Sequence, residues 1–258
     1  VGNDVYTVGG VAQRFLYEEK WSQISNDYMF GTSGKSGIYE TQYPNYGVTW
    51  ERAHKYNVGL EFGLWNGLLN GNIDLFHEKR NDILTNYLTR PEWVGVTMAA
   101  GNLGETVNSG FEIELKHNNH IGKEFQYNVG LTFSHAKNEI KNMDEPALKT
   151  DYRKREGHPI GQYYGLVCDG FVTAADVADP NFPTSTFGNV QVGDLKYRDM
   201  NNDGFIDERD ETFIGYSDVP ENTYALTLGC NYKGIGFSVM FQGVDHVSRY
   251  YDAEAMYA

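Results

Sequence analysis

From Tyr56 to Leu64 apolar and polar positions alternate one for one: Tyr56, Val58, Leu60, Phe62 and Leu64 stand against Asn57, Gly59, Glu61 and Gly63. A period of two predicts a strand with one apolar face, because successive side chains of a strand point to opposite sides. Asn66-Gly67 follows, a dipeptide that tolerates the positive φ of a tight hairpin. Leu69, Gly71, Ile73 and Leu75 then alternate with Asn70, Asn72 and Asp74. The same grammar recurs at Phe111, Ile113 and Leu115, and at Phe125, Tyr127, Val129, Leu131 and Phe133. It returns at Tyr224, Leu226, Leu228, Cys230 and Tyr232, and passes through Lys233-Gly234-Ile235-Gly236 into Phe237, Val239 and Phe241. Three hairpins are predicted, over Tyr56–Lys79, Phe111–His135 and Tyr224–Gly243, with their turns on one shared side.

The connections between hairpins differ in kind from the turns inside them. Residues 1–49, 80–109 and 136–223 read as long polar, Gly-rich loops, far beyond ordinary connection lengths. Short turns at one end and long loops at the other is the arrangement of outer-membrane barrels. The alternation itself also fits a soluble β-sandwich, and the polar faces fit either a wet lumen or a solvated sheet. The fold expected is all-β: a portion of an antiparallel transmembrane β-barrel with long extracellular loops and no plug in this chain. Leu60, Phe62, Ile113, Val129, Leu131, Leu226 and Val239 are its expected lipid-facing residues. Six strands do not close around water, and Glu254–Ala258 adds no further alternating strand, so more of the barrel is expected elsewhere.

Composition narrows the function classes. A net charge of −14 with no Lys/Arg cluster disfavours nucleic acid as a partner. No apolar run of about 18 residues predicts a membrane helix, and the opening VGNDVYTVGG lacks the regions of a signal peptide. A mean hydropathy of −0.52 is compatible with barrel strands, which expose one polar face. The 19 Tyr, 14 Phe and 4 Trp suit membrane girdles or a sandwich surface. Cys168 and Cys230 show neither metal nor redox spacing.

Trp50-Glu51, followed by Tyr56-Asn57-Val58-Gly59, closely resembles the signature of the SusC/RagA family of TonB-dependent transporters. Gly71-Asn72-Ile73-Asp74-Leu75-Phe76, Lys79-Arg80-Asn81-Asp82-Ile83-Leu84, Gly101-Asn102-Leu103-Gly104 and Asn108-Ser109-Gly110-Phe111-Glu112 resemble its next blocks in order. So do Gly161-Gln162-Tyr163-Tyr164-Gly165, Asp169-Gly170-Phe171, Gly193-Asp194-Leu195-Lys196-Tyr197-Arg198-Asp199 and Phe241-Gln242-Gly243, and the opening Val1-Gly2-Asn3-Asp4 is similar to the entrance of a large loop. The order of these blocks is more specific than any one of them. The resemblance implies a bacterial outer-membrane importer with a barrel of about twenty-two strands, plugged by an N-terminal domain and driven by TonB. It also implies a SusD-like surface lipoprotein as lid and an oligosaccharide or peptide as cargo. No enzyme activity is implied.

One segment has metal-ligand spacing. Asp199, Asn201, Asp203, the Phe205 carbonyl, Asp207 and Asp210 follow the order of a twelve-residue calcium loop, with Gly204 at the sharp bend. Asp210 departs from the Glu usual at the last position. A structural Ca²⁺ pinning an extracellular loop is expected, against the alternative that Asp, Asn and Gly here simply make turns. Tyr87, Trp93, Tyr163 and Tyr164 are candidate contacts for sugar cargo or for a partner, although Tyr163 and Tyr164 equally suit packing within the loop. Gly34-Lys35-Ser36-Gly37 echoes the end of a P-loop but lacks its first glycine and its strand-to-helix context. The scattered histidines show no zinc-protease spacing. The competing functions are a secreted calcium-stabilised β-sandwich binding module and, behind it, a glycan hydrolase using paired carboxylates.

Overall fold

The computed structural model describes residues 6–8, 11–13, 15–31, 33–89, 93, 95–146 and 150–251. In chain order β1 (Tyr6–Val8) and β2 (Val11–Gln13) form a small ribbon, followed by β3 (Lys20–Phe30) and β4 (Ser33–Tyr43). Next come β5 (Arg52–Leu64), β6 (Leu69–Thr85), β7 (Thr97–Met98), β8 (Gly101–Ile121) and β9 (Phe125–Asn142). The third long connection holds β10 (Gln162–Gly165), β11 (Cys168–Phe171), helix α1 (Ala174–Ala178), β12 (Thr184–Ser185), β13 (Leu195–Tyr197), β14 (Phe205–Ile206) and β15 (Thr212–Ser217). β16 (Asn222–Tyr232) and β17 (Ile235–Asp245) end the order. No helix among the described residues is long and apolar enough to cross a membrane, which says nothing about strands.

A six-stranded antiparallel sheet in the order β17-β16-β9-β8-β6-β5 is the body of the chain. Its register runs unbroken from Arg52↔Asn81 to Leu64↔Leu69 and from Asn222↔His135 to Tyr232↔Phe125. The three turns lie at one end of the sheet, as expected. Asn66, Gly67, Lys233 and Gly234 hold positive φ there, at 58°, 86°, 50° and 87°. Asn-Gly and Lys-Gly reverse the chain in few residues because those positions accept the left-handed backbone at low cost.

One face of this sheet is polar and the other apolar. Register places Tyr224, Phe133, Ile113, Ile73 and Leu60 in one row, and Phe241, Leu226, Leu131, Leu115, Gly71 and Phe62 in the next. This apolar face has no cover. Val58 is 68% exposed, Leu60 59%, and the buried apolar core of the described residues is Leu16, Ala99, Ala100, Val172 and Ile206, none of it on this face. No second sheet packs against it among the described residues, so the sandwich alternative lacks the layer it requires.

The strands outrun the expected hairpins. β6 continues to Thr85, β8 starts at Gly101 and β9 reaches Asn142, so the connections at this end are residues 86–100 and 143–221 and not 80–109 and 136–223. Residues 1–49 are likewise not one loop, because β3 and β4 pair and β4 meets β7 in parallel at Gln42↔Thr97. In these upper segments ion pairs replace apolar alternation: Lys55–Glu78 at 3.0 Å, Arg80–Glu51 at 2.6 Å and Lys79–Glu105 at 2.8 Å. Gly34–Gly37 lies in β4, a strand context that removes the P-loop echo. Val1–Asp4 and Glu254–Ala258 lie outside the described residues.

Candidate functional site

The polar face of the sheet divides into two halves. On β5, β6 and β8 it carries Glu61, Asp74, Glu112, Glu114 and Lys116, whereas on β9, β16 and β17 the facing rows are Ser134, Thr132, Gly130, Thr223, Ala225, Thr227, Val244, Gln242 and Met240. Asn72 Nδ2 donates to Asp74 Oδ2 at 2.8 Å, and Lys116 pairs with Glu114 at 2.5 Å. Glycines opposite these groups make room for them. A Cβ on Gly59 would sit 2.7 Å from Asp74 Oδ1, and one on Gly63 3.3 Å from Asn70 Oδ1. Such a surface holds water and polar solutes, as the inner wall of a large barrel does.

The segment Asp199–Asp210 folds as one loop, and its side chains are already engaged. Asp199 accepts from the Asp203 and Gly204 amides at 3.3 and 2.8 Å, and Asn201 Oδ1 accepts from the Asp203 amide at 2.9 Å. Asp203 Oδ1 accepts from the Phe205 amide at 3.0 Å. Asp210, fully buried, accepts from the Met200 and Asp207 amides, both at 2.9 Å. Arg209 closes the loop with Nη2 at 2.9 Å from Asp203 and 2.6 Å from Asp207. Its guanidinium, and then its own backbone amide, hold the Asp207 carboxyl below the usual carboxylate range. Phe205 belongs to β14, paired with β12 through Thr184. Among the described residues no group of three His, Cys, Asp or Glu side chains gathers in a metal-holding arrangement. In the observed conformation an arginine stands where the spacing had suggested a cation.

Two further charged contacts tie the long loop together. Lys196 on β13 reaches Asp176 at 2.5 Å, and this contact, with the Thr173 hydroxyl and amide, lowers the Asp176 carboxyl to about 2. Thr173 and Asp176 form a reciprocal capping box that starts α1. Arg198 grips Asp169 with two bonds of 2.9 and 2.5 Å and holds that carboxyl low.

The four aromatic candidates are not brought together. Tyr87 lies against Gly101, where a Cβ would sit 2.5 Å from its hydroxyl. Trp93 is 87% exposed. Tyr164 meets Phe213 edge-on at 5.1 Å and accepts from Arg153 Nε at 2.9 Å. Tyr163 stacks on Tyr250 at 6.2 Å and accepts from the Tyr250 amide at 3.2 Å. Arg209, Lys196 and Tyr250 are the functional neighbours that the sequence reading missed. The Arg209 signal lay within the loop itself, as a cation between Asp207 and Asp210.

Comparison with known proteins agrees with this geometry. The family model described as TonB dependent receptor-like, beta-barrel matches residues 17–257. TonB-dependent receptor P3 of Formosa agariphila is 26% identical over 240 residues, covering 87% of this chain and 23% of the relative. TonB-dependent receptor SusC of Bacteroides thetaiotaomicron is 26% identical over 244 residues, covering 89% of this chain and 23% of SusC. The fold is shared with the RagAB peptide importer in its open-open state, with a TM-score of 0.60 at 20% identity, over 90% of this chain and 24% of that one. The chain thus spans about a quarter of the length of these relatives, all of them receptors or transporters. One-ended turns, a bare apolar face and a polar opposite face agree with a family match along nearly the whole sequence, and the chain belongs to the TonB dependent receptor-like β-barrel family of the outer membrane.

Proposed function

We propose that the chain is wall and extracellular loop of a SusC-like importer that takes oligosaccharide or peptide nutrients across the outer membrane. The supporting observation is the two-faced sheet: an apolar surface with no protein over it, and a polar, partly acidic surface behind it. A wall of this kind separates lipid from a watery passage and needs no catalytic group. On this reading TonB supplies the energy through regions outside this chain, and a SusD-like lipoprotein closes the mouth. The full-length protein, produced in cells with and without TonB, would be offered maltoheptaose and a defined hexapeptide mixture. TonB-dependent uptake of one of them is expected, and energy-independent leakage or no uptake of either would overturn the proposal. Purification from the native outer membrane is expected to bring a surface lipoprotein in fixed proportion.

We also propose that the loop Asp199–Asp210 exchanges its arginine clamp for Ca²⁺. In favour stands a single segment carrying oxygens at the spacing a hard cation needs, already curled by the amides that bond to Asp199. Titration calorimetry of the full-length protein with calcium should show binding that Arg209→Ala strengthens and Asp203→Ala weakens. Absence of heat in both the parent and Arg209→Ala would leave the loop an Asx-rich turn closed by its arginine.

A further inference from the structure

The ribbon of β3 and β4 stands at the loop end of the wall, fixed to the strands that carry its acidic half. A small core of Leu16, Ala99 and Ala100 holds its base, with Val48 and Leu84 packed against it. Leu84 belongs to β6 and Ala100 directly precedes β8. Asn45 adds two bonds, its Nδ2 donating to the Ala100 carbonyl at 2.9 Å and its backbone amide to the Leu16 carbonyl at 2.7 Å. The Ala99 amide donates to the Tyr43 carbonyl at 2.9 Å, which continues the pairing of β4 with β7.

On this base one face of the ribbon is aromatic and acidic. Trp21 stands opposite Glu40 by register, and Gln23 opposite Ile38, two residues on and therefore on the same face. Glu19 joins them from the start of the ribbon: its Oε2 accepts from Trp21 Nε1 at 3.3 Å and its Oε1 from the Tyr46 hydroxyl at 3.0 Å. One carboxylate thus holds two rings. The rings remain open, Trp21 56% and Tyr46 76% exposed, which a clasp made only for packing would not leave. The Tyr46 hydroxyl is raised above its ordinary value, by the Glu19 hydrogen bond first, then by lost water contact and by the charges of Glu19 and Glu40, so Glu40 belongs to the same cluster. Lys20, the cation adjacent in sequence, pairs with Gln42, beyond the Trp21–Glu40 row. Among the described residues the Glu40 carboxylate has no ion pair.

Two open rings beside two carboxylates match a flat cation. A guanidinium lays its plane on an indole or phenol ring and turns its fork of N–H donors to a carboxylate. A neutral sugar stacks on the same rings but has no charge to set against the acids. The wall to which the ribbon is fixed has the same sign: on the polar face of β5, β6 and β8, Glu61, Asp74, Glu112 and Glu114 stand against one cation, Lys116. Such a field draws cations and repels anions. We propose that Glu19, Trp21, Glu40 and Tyr46 form a surface site for the arginine side chain of a peptide. The site rests on the importer reading and narrows its cargo to basic peptides, held on the ribbon before they enter.

Three probes would be titrated into the full-length protein in detergent at low salt, with binding read by saturation-transfer NMR: an acetylated, amidated hexapeptide with one central arginine, its uncharged citrulline counterpart, and maltoheptaose. The arginine peptide should bind about tenfold more tightly than the citrulline peptide. Glu40→Gln, which keeps the size and removes the charge, and Trp21→Ala should each weaken it about fivefold. Glu40→Gln should also flatten the salt dependence of binding, and Trp21→Ala should not. Where Trp21→Ala loosens the ribbon, Trp21→Phe keeps a ring, loses the Glu19 bond and should retain most of the affinity. No binding of the arginine peptide, equal binding of both peptides, or binding that neither substitution changes would overturn the site. Maltoheptaose bound here instead, and lost in Trp21→Ala, would make the face a sugar platform and overturn it as well. Uptake separates this from the importer reading: TonB-dependent uptake with no preference for arginine sinks the site alone, and absence of any TonB-dependent uptake sinks the importer.

Discussion

The wall and the loop of residues 143–221 are ordered by opposite means. In the wall, long ladders fix every side chain to one face or the other, and hardly any side chain is buried: the apolar rows wait for a solvent that is itself apolar. In the loop, three two-stranded pieces of two to six residues have too little ladder to hold themselves. They are tied instead by Asp210 on two amides, Arg209 on two carboxylates, Lys196 on Asp176 and Arg198 on Asp169. The comparison teaches that the wall should be sensitive to what faces lipid and the loop to single polar groups, with little exchange between them.

The largest expected effect lies in the wall. Leu226→Arg places a charge in the apolar row between Leu131 and Phe241, and should cost about 2–4 kcal/mol of folding in lipid. Thr227→Arg, one residue on and on the polar face, should stay within about 0.5 kcal/mol. Reversible denaturant titration in vesicles checks both, and equal costs would break the two-face assignment.

A smaller and local effect is expected at Asp210. Replacing this buried carboxylate by alanine leaves the Met200 and Asp207 amides without their acceptor, at about 1–3 kcal/mol for an unsatisfied buried group. Hydrogen exchange should quicken across residues 199–212 while Val129–Phe133 keeps its protection. Loosening of both together would mean that wall and loop are one cooperative unit.

The smallest effect is the acid response of the Lys196–Asp176 tie. The Asp176 carboxyl is lowered from its ordinary 3.8 to about 2, so its contribution is fully present above about pH 4 and is lost as pH falls toward 2. Amides at the start of α1 should gain exchange in that window once intrinsic rates are corrected for pH. Lys196→Gln should remove the dependence, and a loosening that begins only at higher pH would assign it to another group.

The same comparison explains what was legible in the sequence. Through most of each hairpin the alternation is clear, because lipid on one side and water on the other favour it, although Val244 and Met240 stand on the polar face, and Asn66-Gly67 marks a turn by its backbone preference alone. Above the membrane both faces meet water, so Arg80–Thr85, Gly101–Ser109 and Ala136–Asn142 lose the period and hide as loop although they are strand. β3 and β4 escaped because their apolar residues are divided between the faces, Trp21 and Ile38 on one and Ile24 and Tyr39 on the other, so no period of two stands out. In the loop the calcium-like spacing was visible, but the closure by Arg209 depends on a side chain folding back, and the stack of Tyr163 on Tyr250 joins residues far apart in sequence.

The central claim, that one face of the sheet meets lipid and the other a watery lumen, is tested most directly by a residue-by-residue scan of β9. Cysteines at Val129, Gly130, Leu131, Thr132 and Phe133 of the full-length protein in vesicles would be reacted with a lipid-dissolved maleimide and with a water-soluble one. Positions 129, 131 and 133 should take the lipid reagent, and 130 and 132 the water-soluble one. Labelling that ignores this alternation, or apolar positions closed to the lipid reagent, would contradict the account.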